Sequence, residues 1–64
     1  MNKENISKLK MIKKRDGVKV GSILYVKLSD GKLSTKYNGT SFGDNWIMSA
    51  IRDGIALPVV KAYG

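Results

Sequence analysis

The sequence predicts a small α+β domain with the element order αββαβ, in which a helix packs on a three-stranded antiparallel-type sheet. Three observations lead to this fold class. Asp-Gly and Asn-Gly turn signals divide the chain at fairly even spacing, two alternating runs flank one of them, and an apolar stripe with helical spacing follows. Short strands joined by glycine turns also build SH3-like and OB-like partly open barrels, which are the main alternative. A chain of 64 residues has room for one core, so residues 1–64 are predicted to form a single domain.

The first segment, residues 3–14, carries helix end signals in the right order. Asn2 is a possible N-cap, Glu4 lies in the first turn, and Gly17 follows the last turn. The apolar stripe is narrow, and the alternation over residues 8–11 is equally compatible with a strand that leads into an Asp-Gly hairpin. We favour the helix, added on a face or an edge of the sheet.

The two central segments predict a β-hairpin. Asp30-Gly31 is the dipeptide that a two-residue type I′ turn requires, and alternating runs lie on both sides of it. A slip by one residue would bury lysines, so the turn and the alternation agree on one register. On the apolar face this register pairs Leu28 with Leu33, Val26 with Thr35, and Leu24 with Tyr37.

The opposite face of the same hairpin is predicted to be basic and to carry an aromatic ring. The register pairs Lys27 with Ser34 and Tyr25 with Lys36, and the long strand adds Ile23 and Lys19.

A second helix is predicted over residues 42–53. Ser41 and Asp44 have the spacing of a capping box, and Gly54 follows the last turn. The apolar stripe of this helix suits packing on the sheet and consists of Phe42, Trp46, Ile47, Ala50 and Ile51. Residues 55–60 are then predicted to form a final strand. Because proline lacks the backbone N–H, this strand should lie at an edge of the sheet or break at Pro58.

Charge is the most informative bulk property of the chain. Twelve basic residues against five acidic ones give a net charge of +7, and all of the excess lies in residues 1–36. Most of the basic residues are lysines, which act as hydrated point charges and favour diffuse contact with a polyanion over readout of base edges. Lysine codons of an AT-rich genome and a need for solubility are the alternative explanation.

Several function classes are excluded or disfavoured by composition. The chain has no cysteine and no histidine, so we expect no disulfide, no metal site and no cofactor. Each acid has a structural role in a turn or a helix end, which leaves no carboxylate pair for acid–base chemistry, and we expect neither an enzyme nor a small-molecule substrate. No apolar run reaches the length of a signal peptide or a membrane span, so we expect a complete, cytoplasmic protein.

The leading functional hypothesis is a small nucleic-acid-binding or nucleic-acid-associated regulatory module with little sequence specificity. An exposed aromatic residue on a lysine-rich strand face can stack on a base while the lysines neutralise phosphates. The competing structural interpretation is that the N-terminal helix covers Tyr25 and turns this face into a second core layer. The predicted nucleic-acid-binding residues are Lys8, Lys10, Lys13, Lys14, Arg15, Lys19, Tyr25, Lys27, Lys32 and Lys36.

Two other functions are compatible with the sequence. The first is a protein-binding modulator, encoded by a phage or a mobile element, that docks on an acidic surface of a larger enzyme. Exposure of Ile23, Tyr25, Met48 or Tyr63 would favour this function, because a protein interface needs an apolar centre inside a polar rim. The second is a structural subunit whose sheet edge near residues 58–61 is completed by a neighbour.

Overall fold

The computed structural model describes residues 5–61, which form a five-stranded antiparallel sheet and one helix. The strand order across the sheet is β4-β3-β2-β1-β5. The element bounds are β1 Ile6–Met11, β2 Ile23–Ser29, β3 Lys32–Tyr37, β4 Thr40–Phe42, α1 Asp44–Arg52 and β5 Ala56–Val60. The α+β class is therefore confirmed, whereas the three-stranded sheet and the αββαβ order are wrong.

The predicted N-terminal helix is wrong, because residues Ile6–Met11 within it form strand β1. In a strand, Leu9 and Met11 become fully buried while Lys8 and Lys10 stay exposed between and beside them. A helix would have offered only a narrow apolar stripe, whereas a strand buries every apolar side chain on one face. β1 then pairs with both β2 and β5. Asn2 and Glu4, the predicted helix-start residues, lie outside the described residues.

The β2–β3 hairpin has the predicted turn. Asp30 and Gly31 have φ angles of 53° and 75°, which fit a turn with positive φ at both central residues. The predicted register is confirmed from Ser29–Lys32 as far as Val26–Thr35.

Beyond Val26 and Thr35 the predicted register is wrong. The first half of β2 turns away from β3 and pairs with β1, so that Leu24 lies opposite Leu9 and Tyr25 opposite Lys8. The prediction assigned β2 one partner along its length, but β2 is an inner strand that exchanges one partner for the other near its middle.

A short strand, β4, takes the place of the predicted helix start. Asn38 and Gly39 form a second turn with positive φ, and Tyr37 pairs with Thr40 across it. Ser41 lies in β4, so the predicted capping box is wrong, and the N-cap of α1 is Gly43. The carboxylate of Asp44 instead accepts a hydrogen bond from the backbone N–H of Leu33 at 2.9 Å, which ties the helix start to β3.

The core lies between α1 and one face of the sheet. The predicted apolar stripe of the helix does pack on the sheet, with Ile47 and Ala50 fully buried. Trp46 is only half-buried: its ring stacks on Phe42 with 4.2 Å between the ring centroids, and its Nε1 donates to Asp16 at 2.6 Å. The buried apolar residues are Ile6, Leu9, Met11, Val18, Leu24, Leu33, Ile47, Ala50 and Ala56.

The final strand lies at an edge of the sheet, which is the first of the two outcomes that Pro58 predicts, and the strand is continuous through Pro58. The carbonyl of Ile55 and the N–H of Lys61 both bond toward the β1 side. Because backbone groups of successive residues in a strand point to alternate sides, the backbone of Pro58 faces away from β1. The missing N–H of the proline therefore costs no hydrogen bond of the ladder.

Candidate nucleic-acid interface

The face of the sheet opposite α1 is uncovered by any element within residues 5–61, and we call it the open face. Its side chains alternate along the strands with those of the core. Tyr25, at its centre, is 69% exposed, so the interpretation that an N-terminal helix covers this residue is wrong. The open face consists of Lys8, Lys10, Ile23, Tyr25, Lys27, Ser29, Lys32, Ser34, Lys36, Ser41, Leu57 and Val59.

The strand register arranges lysines and apolar side chains in rows across the open face. In one row Lys8 of β1 lies between Val59 of β5 and Tyr25 of β2. In the next row Lys10 lies between Leu57 and Ile23 in the same way. The Nζ atom of Lys8 is 5.5 Å from the centroid of the Tyr25 ring, within the range of a cation–π contact. Lys8 and Lys10 therefore lie within the apolar part of the open face and not at its rim.

The acidic residues of the described chain lie away from this face. Asp16, Asp44 and Asp53 make hydrogen bonds to residues of α1 or to groups packed beside it. Asp30 occupies the β2–β3 turn, at one end of the sheet. This segregation leaves five lysines and no acid among the open-face residues, so the surface attracts anions.

Six of the ten predicted binding residues lie on the open face, namely Lys8, Lys10, Tyr25, Lys27, Lys32 and Lys36. Lys13, Lys14 and Lys19 are exposed in the connection between β1 and β2. The prediction that Lys19 extends the strand is wrong, because β2 begins only at Ile23.

Arg15 contacts residues on the helix side of the molecule and does not lie on the open face. Its Nη2 is 3.1 Å from Oδ2 of Asp53 in an ion pair, and its Nη1 donates to the hydroxyl of Ser49 at 3.4 Å. Hydrogen bonds from Arg15 and then from Arg52 hold the pKa of Asp53 below its ordinary value, because both favour the charged carboxylate. Arg15 is thus engaged in joining the β1–β2 connection to the end of α1.

Sequence reasoning placed Ser34 on this face opposite Lys27, but it missed three open-face residues: Ser41, Leu57 and Val59. Ser41 was predicted to be the N-cap of the second helix, whereas it lies in β4. The β5 segment is apolar at almost every position, so its alternation does not reveal which side chains face outward.

Comparisons with protein-family models, curated proteins and solved structures found no significant match to the chain. No helix among residues 5–61 is both long enough and apolar enough to cross a membrane.

Proposed function

We propose that this protein binds nucleic acid through the open face of its sheet, with little sequence specificity. The observation that supports the proposal best is the position of Tyr25. Its exposed ring lies among lysines on a face with no acid, which is the combination that proteins use to stack a base and neutralise phosphates. Lysine side chains bind phosphates as point charges, so they position a strand without reading its bases.

The placement of Lys8 and Lys10 favours a polyanion over a protein partner. In protein interfaces the buried centre is depleted of lysine, and charges lie at the rim. Here both lysines lie between apolar neighbours on either side, so a protein seated on this surface would bury two ammonium groups. The phosphate groups of a nucleic acid would instead form ion pairs with Lys8 and Lys10 in their present positions.

The strand connectivity supports, as part of the proposal, an SH3-like partly open barrel. Four strands follow one another as a meander, the helix comes next, and β5 returns to pair with β1. Because β2 pairs with β1 at one end and with β3 at the other, the sheet divides into two halves that share this strand. Small barrels of the OB type bind oligonucleotides on a strand face, which is an analogy of architecture only.

The test compares two triple variants of equal charge. In the first, Lys8, Lys27 and Lys36 of the open face are replaced by glutamine; in the second, Lys13, Lys14 and Lys19 of the β1–β2 connection are replaced in the same way. Affinity for single-stranded DNA, single-stranded RNA and duplex DNA is measured over a series of salt concentrations.

We expect the open-face variant to flatten the log–log salt dependence on single strands by about two units, since each phosphate contact contributes about 0.7. The control variant should change the slope by less than about one unit. If the two variants changed the salt dependence equally, the assignment of the open face as the binding surface would be refuted. If no nucleic acid binds more tightly than about 100 μM near physiological salt, the function itself is refuted.

A second candidate function is the binding of a protein partner. Ile23, Tyr25 and Met48 are all exposed, which is the outcome that favours a modulator of a larger protein; Tyr63 lies outside the described residues. Met48 is on α1, however, and so does not extend the apolar area around Tyr25. Recovery of one stoichiometric protein from a nuclease-treated host lysate, together with loss of that protein by Tyr25→Ala, would support this function.

A further inference from the structure

A groove on the open face marks the point where β2 and β3 separate. The ladder between the two strands ends at Val26 and Thr35, and beyond it the first half of β2 follows β1. The resulting depression has a volume of about 350 Å³. This is at the small end of the range of pockets that hold small organic groups. The groove is lined by Ile23, Tyr25, Lys27, Ser34, Thr35, Lys36 and Ser41.

The end of the ladder is closed by a side chain, which keeps the groove from collapsing into a longer hairpin. The hydroxyl of Thr35 donates to the backbone carbonyl of Tyr25 at 2.7 Å. This bond satisfies an acceptor that a continued ladder would have paired with the next residue of β3. The strands therefore diverge without leaving the Tyr25 carbonyl unpaired.

The chemistry of the groove walls suits one class of ligand. Tyr25 supplies an aromatic face and Ile23 an apolar contact beside it, while Lys27 and Lys36 supply positive charge. Hydroxyl groups of Ser34 and Ser41 can both donate and accept hydrogen bonds. A flat ring with polar edges, joined to an anionic group, would use all of these features together.

We propose that the groove holds one unpaired nucleotide of a nucleic-acid strand, with its base stacked on Tyr25 and its flanking phosphates against Lys27 and Lys36. This inference rests on the proposed function and adds to it a preference for single strands. In a duplex the faces of each base are covered by its neighbours, so the Tyr25 ring cannot reach them without paying the cost of unstacking. Electrostatic contact alone carries no such preference.

The experiment compares Tyr25→Leu with Tyr25→Phe in the full chain. Leucine retains apolar bulk but removes the aromatic face, whereas phenylalanine retains the face and removes only the hydroxyl. Binding of a labelled 15-nucleotide oligothymidylate, the corresponding oligouridylate and a 15-base-pair duplex is measured by fluorescence anisotropy at two salt concentrations. Because Tyr25 is exposed, neither variant is expected to disturb the fold, which circular dichroism verifies.

We expect Tyr25→Leu to weaken binding to both single strands by roughly tenfold or more, in line with the loss of one stacked base. Its effect on the duplex should be less than about twofold, and Tyr25→Phe should bind all three probes nearly as the wild type does. The Tyr25 ring protons should also move upfield in proton NMR spectra as oligothymidylate is added, because a stacked base shields them.

Two results would overturn the inference while leaving the proposed function intact. One is equal weakening of single strands and duplex by Tyr25→Leu; the other is no weakening of either, with the Tyr25 resonances unmoved. If none of the probes binds to the wild-type protein, the proposed function fails and this inference fails with it.

Discussion

Replacement of Thr35 by valine tests the structural origin of the groove. Thr35 is 4% exposed, and its hydroxyl donates to the Tyr25 carbonyl at 2.7 Å. Valine has nearly the same shape, so the packing around residue 35 changes little. What the substitution removes is the donor at the end of the β2–β3 ladder, and the carbonyl of Tyr25 loses its partner there.

The expected cost follows from the loss of this hydrogen bond. The bond is part-buried, and a typical intramolecular hydrogen bond contributes about 0.5–1.5 kcal/mol to stability. A domain of this size has a total free energy of unfolding of roughly 3–10 kcal/mol, at about 0.05–0.15 kcal/mol per residue. The substitution should therefore lower the free energy of unfolding by about 0.5–1.5 kcal/mol and the melting temperature by about 2–12 °C.

Urea unfolding monitored by the fluorescence of Trp46 provides the measurement. The indole stacks on Phe42 and donates to Asp16, so its environment changes when the fold opens. Ser34→Ala is the matched control, because Ser34 is the neighbouring residue in β3 but is exposed on the open face. Its free energy of unfolding should stay within about 0.5 kcal/mol of the wild type. Equal unfolding midpoints for Thr35→Val and Ser34→Ala would refute the reasoning.

Two further predictions concern the turns and the helix end. Serine in place of Gly31, at φ 75°, should destabilise the fold by about 1–2 kcal/mol, whereas serine in place of the N-cap Gly43, at φ −95°, should be neutral or slightly stabilising in the same urea assay. A Cβ meets no atom within 4 Å at either site, so the difference in stability between the two variants should come from the backbone conformation alone. Similar unfolding midpoints for the two variants would contradict this explanation. Since the pKa of Asp53 is lowered in the folded state, its stabilising contribution is present above its ordinary value of 3.8 and lost as the pH falls below it. Between about pH 5 and pH 3 the Asp53→Asn variant should thus lose less of its free energy of unfolding than the wild type does. Parallel curves of unfolding free energy against pH would count against a stabilising ion pair between Arg15 and Asp53.

Local sequence signals determined the turns and the register that depends on them. Asp30-Gly31 specifies its turn because an L-residue other than Asn or Asp adopts positive φ only with strain, and the alternation beside it permits one register without burying lysine. The amphipathic stripe of α1 and the edge position of Pro58 depend in the same way on one short segment. These parts were predicted because the residues that decide them are close in sequence.

The candidate site was predicted only in part. The alternation of the hairpin identified Tyr25, Lys27 and Lys36 as one face, but whether that face is open depends on segments distant in sequence. Because β1 is a strand and not a helix, it extends the sheet beside β2, adds Lys8 and Lys10 to the face, and leaves Tyr25 exposed.

By itself, then, the sequence determined the charge of this protein, its glycine turns and which residues of the hairpin share a face. The tertiary structure decided what residues 6–11 become, since their pattern fits a narrow helix or a strand, and only pairing with both β2 and β5 makes the strand bury Leu9 and Met11. It also decided where β2 leaves β3. The point where the β2–β3 ladder ends, and with it the groove beside Tyr25, depends on contacts between segments distant in sequence, including the pairing of β2 with β1, which no local pattern contains.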